Sequence, residues 1–350
     1  MLVAVHDLLP PARRGLAQRL REAWASAALL RGTAVASLAA NVGIVVTGGA
    51  VRLTGSGLGC PTWPKCTAQS LVPTRELEIN GLIEFGNRLL TFVVGLLAVL
   101  GFLLALRAAK SARQTSLAGG RERSMVRWSA LTAASIPAQA AWGGLTVLTD
   151  LNPWIVGLHF MVSIGIIAAA FGFWRSTSVR TWAEPLPVEL RWLAGLVLTV
   201  TVGVLVIGTL VTGSGPHAGD QGAARNGLDP AQIAQVHADL VFLLCGLAAA
   251  TWLALRAVRA QTAASAALTL LGVLAAQGVI GFVQYFTHLE PILVGVHMLG
   301  ASLAWIAALR LWWAVLPAPQ PHVGVQQRSA GRSLGDNLTV ANPAGARERS

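Results

Sequence analysis

The sequence predicts an all-α integral membrane protein in which eight transmembrane helices form two parallel-repeat four-helix bundles. Three observations lead to this prediction. The 350 residues are 54% hydrophobic and only 12% charged, with a mean hydropathy of +0.61, whereas a soluble domain is about one quarter charged. Apolar runs long enough to cross a hydrocarbon core about 30 Å thick recur along the chain. Finally, the two halves of the chain carry the same motifs in the same order.

Eight apolar runs are long enough to serve as spans, and polar or basic residues separate them. In chain order they cover residues 33–51, 80–106, 128–148, 154–174, 192–211, 231–255, 264–286 and 291–313. Residues 1–30 are predicted to be a cytoplasmic amphipathic segment, because they are too long and too basic for a cleavable signal. Residues 317–350 are rich in Pro, Gly, Ser and Arg and are predicted to be a disordered cytoplasmic tail.

Lys and Arg residues cluster between alternate spans, and this bias predicts the orientation of the chain. The clusters occupy the N-terminus, residues 107–127, residues 175–191, Arg256 with Arg259, and the tail. Because cytoplasmic loops are enriched in Lys and Arg, these segments and both termini are expected on the cytoplasmic side. The loops at 52–79, 149–153, 213–230 and 287–290 then face outward. The net charge of +11 follows from this topology, so nucleic-acid binding is not expected.

A duplicated motif relates the two halves. Residues 151–160 read LNPWIVGLHF and residues 289–298 read LEPILVGVHM. Further matches pair 41–48 with 201–208, 54–57 with 212–215, 83–87 with 233–237, Gln139 with Gln277, and Gly143 with Gly281. Each half has four spans and inserts the same way up, so an axis along the membrane normal should relate the halves. The N-terminal half is predicted to comprise 31–127 and 128–180, and the C-terminal half 181–316.

Two histidines in the C-terminal half lie at matched depths and indicate a macrocycle site. His237 and His297 are about two turns below the outward loops, on the sixth and eighth spans. An ionisable ring in a span is costly, and two imidazoles on different helices can ligate one haem iron. Gly295 would let a large ring approach the backbone. The alternative is a pair of core histidines that hydrogen-bond to the backbone or to Gln277.

The N-terminal half has only one of these histidines. His159 takes the place of His297, but Asn87 stands where the repeat has His237. Two ligands suit electron transfer, whereas an open axial position suits a reactive site. The sequence therefore predicts that chemistry takes place in the N-terminal half.

A carboxylate lies beside this single-histidine site. Glu84 is one turn before Asn87 on the same helix face. An intramembrane carboxylate is either paired or functional, and Glu84 is a candidate proton donor or acceptor. The alternative is a structural ion pair with Arg88 or Arg52. Those arginines are also candidates to neutralise acidic groups of a ligand, such as haem propionates.

The cysteines divide by location. Cys60 and Cys66 flank Pro-Thr-Trp-Pro-Lys in an outward loop, on the oxidising side, where a disulfide is favoured over two free thiols. Cys245 lies within an apolar run and is predicted to be a packed, inert thiol. His217 and His288 lie in outward loops and are expected to be solvated.

These motifs together resemble the haem A synthase family over about residues 33–315. The resemblance is carried by VRLTGSGLGCPTW after the first span, IEFGNR in the second, and histidines on spans four, six and eight. It implies an oxidoreductase that converts the C8 methyl group of haem O to a formyl group, giving haem A for terminal oxidases. The residues that match the family are His237 and His297 as axial ligands of a haem b cofactor, His159 on the substrate haem, catalytic Glu84, and the Cys60–Cys66 pair.

The resemblance also implies partners and a location. Haem O would be the substrate, a haem O synthase and terminal-oxidase assembly factors would be candidate partners, and the bacterial plasma membrane would be the site of action. One position departs from the family pattern, which has histidine where this chain has Asn87. We hypothesise that His159 alone ligates the substrate haem and that Asn87 offers a hydrogen bond to a ligand or water.

Two other functions are open at this point. A bis-histidine membrane cytochrome b that only transfers electrons would be expected to have paired ligands in both halves and no isolated glutamate. A parallel-repeat transporter would be expected to have helices broken at mid-membrane, whereas the polar residues here cluster near the outward face.

Overall fold

The computed structural model describes residues 11–114, 120–178 and 185–317, without the side chains of 11–25 and 113–114. Eight α-helices and one short 3-10 helix, Arg75–Leu77, make up the regular structure of these residues. The α-helices are α1 (Pro11–Leu53), α2 (Glu78–Gln114), α3 (Gly120–Leu148), α4 (Pro153–Ser176), α5 (Val188–Ser214), α6 (Pro230–Ala257), α7 (Gln261–Phe286) and α8 (Pro291–Val315). The all-helical membrane fold predicted from the sequence is confirmed.

The chain divides into two units. The first, Met1–Val179 with Leu186–Leu316, contains all eight α-helices. The second, Arg180–Pro185 with Pro317–Ser350, contains only Pro185 and Pro317 of the described residues. Except for Pro317, the predicted disordered tail therefore lies outside the described residues, as do residues 1–10 of the predicted N-terminal segment. The remainder of that segment, residues 11–30, is not separate but forms the first part of α1.

Seven of the described helices are long and apolar enough to cross a membrane. The eighth, α3, has 29 residues, but its sequence is more polar. Its buried hydroxyl groups include Ser129, which donates to the Val126 carbonyl at 3.1 Å, and Thr132, which donates to the Trp128 carbonyl at 2.9 Å, so both are satisfied within the helix. A helix satisfied in this way and packed between α2 and α4 can lie inside a bundle without exposing polar groups to lipid.

The helices form two rings of four. Helices α1 to α4 contact one another in order and α4 closes on α1, while α5 to α8 do the same and α8 closes on α5. Between the rings, α1 contacts α8, and α4 contacts α5 and α8. Because α1 matches α5 and α4 matches α8 in the repeat, these reciprocal contacts are those that a two-fold axis along the bundles would generate.

The interface between the rings is an apolar core that contains one buried hydrogen bond. Its buried members are Val42, Val45, Ile164, Ile167, Leu205 and Trp305. The indole Nε1 of Trp305 on α8 donates to the Ile164 carbonyl on α4 at 2.9 Å. The one polar atom of this large side chain is therefore satisfied across the interface.

The turns before α4 and α8 have the same backbone conformation. Asp150 and Leu151 have φ of 49° and 57°, and the matched His288 and Leu289 have 57° and 65°. Successive non-glycine residues in this left-handed region are strained. In both turns the second residue donates its N–H five residues back at 2.9 Å, to the carbonyls of Thr146 and Gln284 respectively. The turns therefore start α4 and α8 at equivalent points.

This strain predicts a stabilising substitution. His288→Gly should raise the midpoint of thermal unfolding in detergent, because glycine adopts φ of 57° without a Cβ clash. The gain should be about 0.5–1 kcal/mol, since strain relief exceeds the entropy cost of glycine. Tyr285→Gly, three residues earlier and inside α7, is the control and should lower stability by up to about 1 kcal/mol. A lower midpoint for His288→Gly would contradict the strain assignment.

Candidate functional site

The four candidate ligand positions lie near the N-terminal ends of the even-numbered helices, the ends that the placement of Lys and Arg predicts to face outward. His159, His237 and His297 are six, seven and six residues from the prolines that open α4, α6 and α8. Six residues of helix correspond to a depth of about 9 Å. Proline at the first helical position fixes each start. Asn87 lies nine residues inside α2.

Each of these side chains faces a glycine on the preceding helix. A Cβ atom added at Gly143 would lie 3.3 Å from Cε1 of His159, and one at Gly208 would lie 3.2 Å from Cε1 of His237. One at Gly281 would lie 3.8 Å from Cε1 of His297, and one at Gly48 would lie 3.8 Å from Nδ2 of Asn87. The four pairs are Gly48–Asn87, Gly143–His159, Gly208–His237 and Gly281–His297. Each odd-numbered helix therefore leaves room for the ligand side chain of its neighbour.

The histidine rings are not held as hydrogen-bonded core residues. Nδ1 of His159 and of His297 is buried and has no hydrogen-bond partner among the described residues. His237 lies beside the Val204 carbonyl, but its Nδ1 has no partner that meets hydrogen-bond geometry there. His237 and His297 lie within electrostatic range of each other. Buried polar atoms are normally paired, so three rings at matched positions, each with an unpartnered Nδ1 among the described residues, fit side chains that bind something other than protein.

Two glutamines differ from the roles that the repeat suggested. Gln139 donates from Nε2 to the His159 carbonyl at 2.8 Å, and so contacts the backbone of the histidine rather than its ring. The Gln277 amide packs tightly against Gly300 of α8. Gly295 was predicted to admit a large ring, but its Cβ position faces Leu53 of α1 at 3.6 Å. That Gly295 admits a macrocycle stays a prediction, while the glycines that face the imidazole rings come from the preceding helices.

Glu84 is buried, with an exposed fraction of 5%, and both carboxylate oxygens are engaged. Oε2 accepts the Cys60 backbone N–H at 2.6 Å. Oε1 accepts from Arg88 through Nε at 3.1 Å and Nη2 at 2.5 Å. Of the alternatives that the sequence left open, Glu84 therefore pairs with Arg88 and not with Arg52.

Arg88 uses its other bonds to hold the outward loop. It donates to the carbonyls of Cys60 at 2.9 Å, Thr62 at 3.0 Å and Lys65 at 3.2 Å. The predicted disulfide between Cys60 and Cys66 closes this loop, with an S–S distance of 2.02 Å. The Glu84–Arg88 pair and the disulfide together fix the loop over the outward end of α2.

Arg52 connects the two halves instead of facing Glu84. It donates to the Thr212 carbonyl at 2.8 Å and the His217 carbonyl at 2.5 Å, both beyond the end of α5 or in its last turn. His217, predicted to be solvated, is only partly exposed, and its Nε2 bonds with the Leu289 carbonyl at 2.9 Å. That prediction was wrong because the loop after α5 folds back over the α7–α8 turn. His288 is exposed, as predicted. Cys245 is partly exposed and packs against the core of the C-terminal helices, and its inertness stays a prediction.

Asn87 is oriented by a neighbouring hydroxyl. Thr47 donates from Oγ1 to Oδ1 of Asn87 at 2.7 Å. Because the carbonyl oxygen is engaged, the Asn87 NH₂ group is the part left to act as a donor. The sequence did not predict this pair, although Thr47 immediately precedes Gly48 in the duplicated motif.

A contact across the interface links the surroundings of the two sites. A Cβ atom at Gly49 would lie 2.6 Å from Sδ of Met298, so the thioether fills the space that a side chain at position 49 would need. Met298 follows His297, and Gly49 follows Gly48, which faces Asn87. Of these two adjacent glycines of α1, Gly48 thus borders Asn87 of the N-terminal half, and Gly49 borders Met298 next to His297 of the C-terminal half.

Comparison with known proteins adds a family match. The model of the COX15-CtaA family, described as cytochrome oxidase assembly protein, matches residues 31–219. A protein named Heme A synthase from Azorhizobium caulinodans is 28% identical over 321 residues, which covers 76% of this chain and 88% of that protein. Heme A synthases from Lysinibacillus sphaericus and Bacillus cereus are 35% and 32% identical over 137 and 123 residues. Those two alignments cover 38% and 35% of this chain and 41% and 36% of the relatives.

The Glu84 contacts predict a large loss of stability on truncation. Glu84→Ala leaves the Arg88 charge without its partner and the Cys60 N–H without its acceptor, and should cost about 3–5 kcal/mol. The midpoint of unfolding should fall, and mild reductant should cleave Cys60–Cys66 faster than in the unmodified chain. Glu76→Ala, an exposed site in the same loop, is the control and should change stability by less than about 0.5 kcal/mol. Equal midpoints for the two variants would show that the pair does not hold the loop.

Proposed function

The chain belongs to the COX15-CtaA family of cytochrome oxidase assembly proteins, and we propose that it oxidises the C8 methyl group of haem O to a formyl group, producing haem A for terminal oxidases. The relatives named Heme A synthase support this assignment. The observation that carries it is the asymmetry of the four matched positions. One half offers His237 and His297, whereas the other offers His159 and the amide of Asn87.

The C-terminal half is proposed to hold haem b between His237 and His297. The support is their matched depth on two helices of one four-helix ring and the space that Gly208 and Gly281 leave beside the rings. The buried, unpartnered nitrogens of these rings fit iron-ligating side chains. When bound, this group would supply one-electron redox chemistry.

The N-terminal half is proposed to bind the substrate haem through His159 alone. Gly143 gives the ring its space, and Gln139 holds the His159 backbone. Asn87, with its carbonyl oxygen engaged by Thr47, would present its NH₂ group as a hydrogen-bond donor. A single protein ligand leaves one axial position open for chemistry, while a site with two ligands is closed.

With water as the source of the added oxygen atom, the overall reaction would release four electrons and four protons, and an electron acceptor outside the chain would take up the electrons. The methyl group would be oxidised to an alcohol and then to an aldehyde hydrate, which loses water to give the formyl group. Protons are released at each oxidation. We propose that Glu84, one turn before Asn87, accepts them, with Arg88 holding its carboxylate in place.

Seven membrane-spanning candidates support a multi-pass membrane protein. We infer the bacterial plasma membrane, with the chain termini cytoplasmic, from the placement of Lys and Arg. Because haem O must be made before it can be oxidised, a haem O synthase is a candidate partner, and terminal-oxidase assembly factors are candidates on the product side. A cytochrome b that only transfers electrons would need matched ligands in both halves, which Asn87 does not provide.

Coexpression with a haem O synthase tests the function. Extraction and chromatography of the haems from the purified protein should give haem A together with haem b. His159→Ala is the control and should retain haem b but yield no haem A. Haem b alone from the unmodified chain would refute the synthase and favour the cytochrome.

Glu84→Gln separates a proton-transfer role from a structural one. The amide keeps an acceptor oxygen for the Cys60 N–H but cannot take up a proton at neutral pH. Haem A yield should fall by about ten-fold or more, with haem b content unchanged. Resistance of Cys60–Cys66 to reductant, measured in parallel, shows whether the loop is intact. Full haem A yield would limit Glu84 to holding the loop.

A further inference from the structure

A groove runs between α1 and α2 next to Asn87. It has a volume of about 310 Å³ and is lined by Thr47, Ala50, Leu82, Ile83, Gly86, Asn87 and Leu90. Apart from Thr47 and Asn87 its walls are apolar. The volume is at the lower end of the range of ligand pockets, about 300–1,000 Å³. The groove is open to the surroundings of the bundle, since Leu82 on its wall is 59% exposed.

The residues that make room for this groove in the N-terminal half are small, and the matched residues in the C-terminal half are larger. Thr47 and Ala50 flank Gly48, and Ile207 and Leu210 hold the same places around Gly208. On the facing helix, Gly86 precedes Asn87 and Val236 precedes His237. A Cβ atom at Gly86 would meet nothing within 4 Å, so the space there is open. Larger side chains thus stand at all three matched positions beside the C-terminal site.

The occupants proposed for the two sites differ in a way that matches this asymmetry. Haem O carries a long isoprenoid chain on its macrocycle, whereas haem b carries a vinyl group there. The chain is apolar, and burying it against the walls of a groove is favourable. Because Asn87 is part of its wall, the groove adjoins the place where the macrocycle would lie, and its exposed side would let such a chain enter sideways from the lipid.

We propose that the α1–α2 groove binds the isoprenoid chain of the substrate haem, and that Thr47, Ala50 and Gly86 thereby determine which half accepts haem O. This proposal rests on the proposed function for the identity of the substrate. Ile207, Leu210 and Val236 stand at the matched positions of the C-terminal half, and their larger side chains restrict that site to a haem without the chain. Differences in side-chain size at three matched positions thus direct the substrate and the cofactor to different halves of the same fold.

The test exchanges the residues of one half for those of the other. Ala50→Leu with Gly86→Val fills the groove and leaves the Thr47–Asn87 hydrogen bond intact. The full chain is coexpressed with a haem O synthase, and the haems are extracted and counted per protein. The sum of haem O and haem A should fall by roughly ten-fold or more, as expected when a group is excluded from its pocket. Haem b content should stay unchanged. In cells without the synthase, variant and unmodified chain should bind equal amounts of haem b.

Gly246→Val is the matched control, because position 246 on α6 is also open and lies away from the groove; it should leave all haem contents unchanged. Equal haem O and haem A in the double variant and the unmodified chain would overturn the proposal. If the double variant also loses haem b, the single variant Ala50→Leu is measured instead. A fall in its ratio of haem O plus haem A to haem b would support the proposal, and an unchanged ratio would overturn it. If the unmodified chain makes no haem A but the variant still loses haem O, the groove stands and the synthase function fails.

Discussion

The close packing of each ligand-bearing helix on a glycine of the preceding helix is the constraint on which the rest of the structure depends. An imidazole in a membrane bundle is bulky and polar, and a neighbouring side chain at the same height would push it aside. Glycine at positions 143, 208 and 281 removes that side chain. The strained turns before α4 and α8 and the prolines that follow them then set the height of His159 and His297. Backbone geometry, rather than side-chain hydrogen bonding, therefore positions these rings.

Hydropathy and motif matching predicted much of this arrangement. The spans follow from the length of the apolar runs, and the disulfide follows from the location of its loop. The equivalence of His159 and His297 follows from the internal repeat. What was missed depends on which atoms meet in space. The repeat marked Gly143 and Gly281 as matched without showing that they face the rings. The sequence left the partner of Glu84 open, since Arg88 lies one turn away on the same helix and Arg52 lies at the end of the first span.

The loops account for the remaining errors. His217 was expected to be solvated because it lies in a polar segment, yet the fold brings it to the Leu289 carbonyl. Arg52 ends α1 and holds the loop after α5 through two backbone carbonyls. Such contacts join residues about 160 positions apart, and no periodicity in the sequence encodes them. They do show that the duplicated halves, once alike, have become dependent on each other at their outward ends.

The neighbouring glycines at 48 and 49 bring this dependence to the two sites themselves. Gly48 borders Asn87 in one half, and Gly49 accommodates the Met298 thioether next to His297 in the other. One turn of α1 therefore borders the surroundings of both His297 and Asn87. A larger side chain at position 48 or 49 would shift the same stretch of backbone and so affect the surroundings of both sites. A replacement at position 49 should be tolerated mainly when the residue at position 298 becomes smaller. Gly48 and Gly49 thus couple the surroundings of the proposed substrate and cofactor sites, although neither residue carries a side chain.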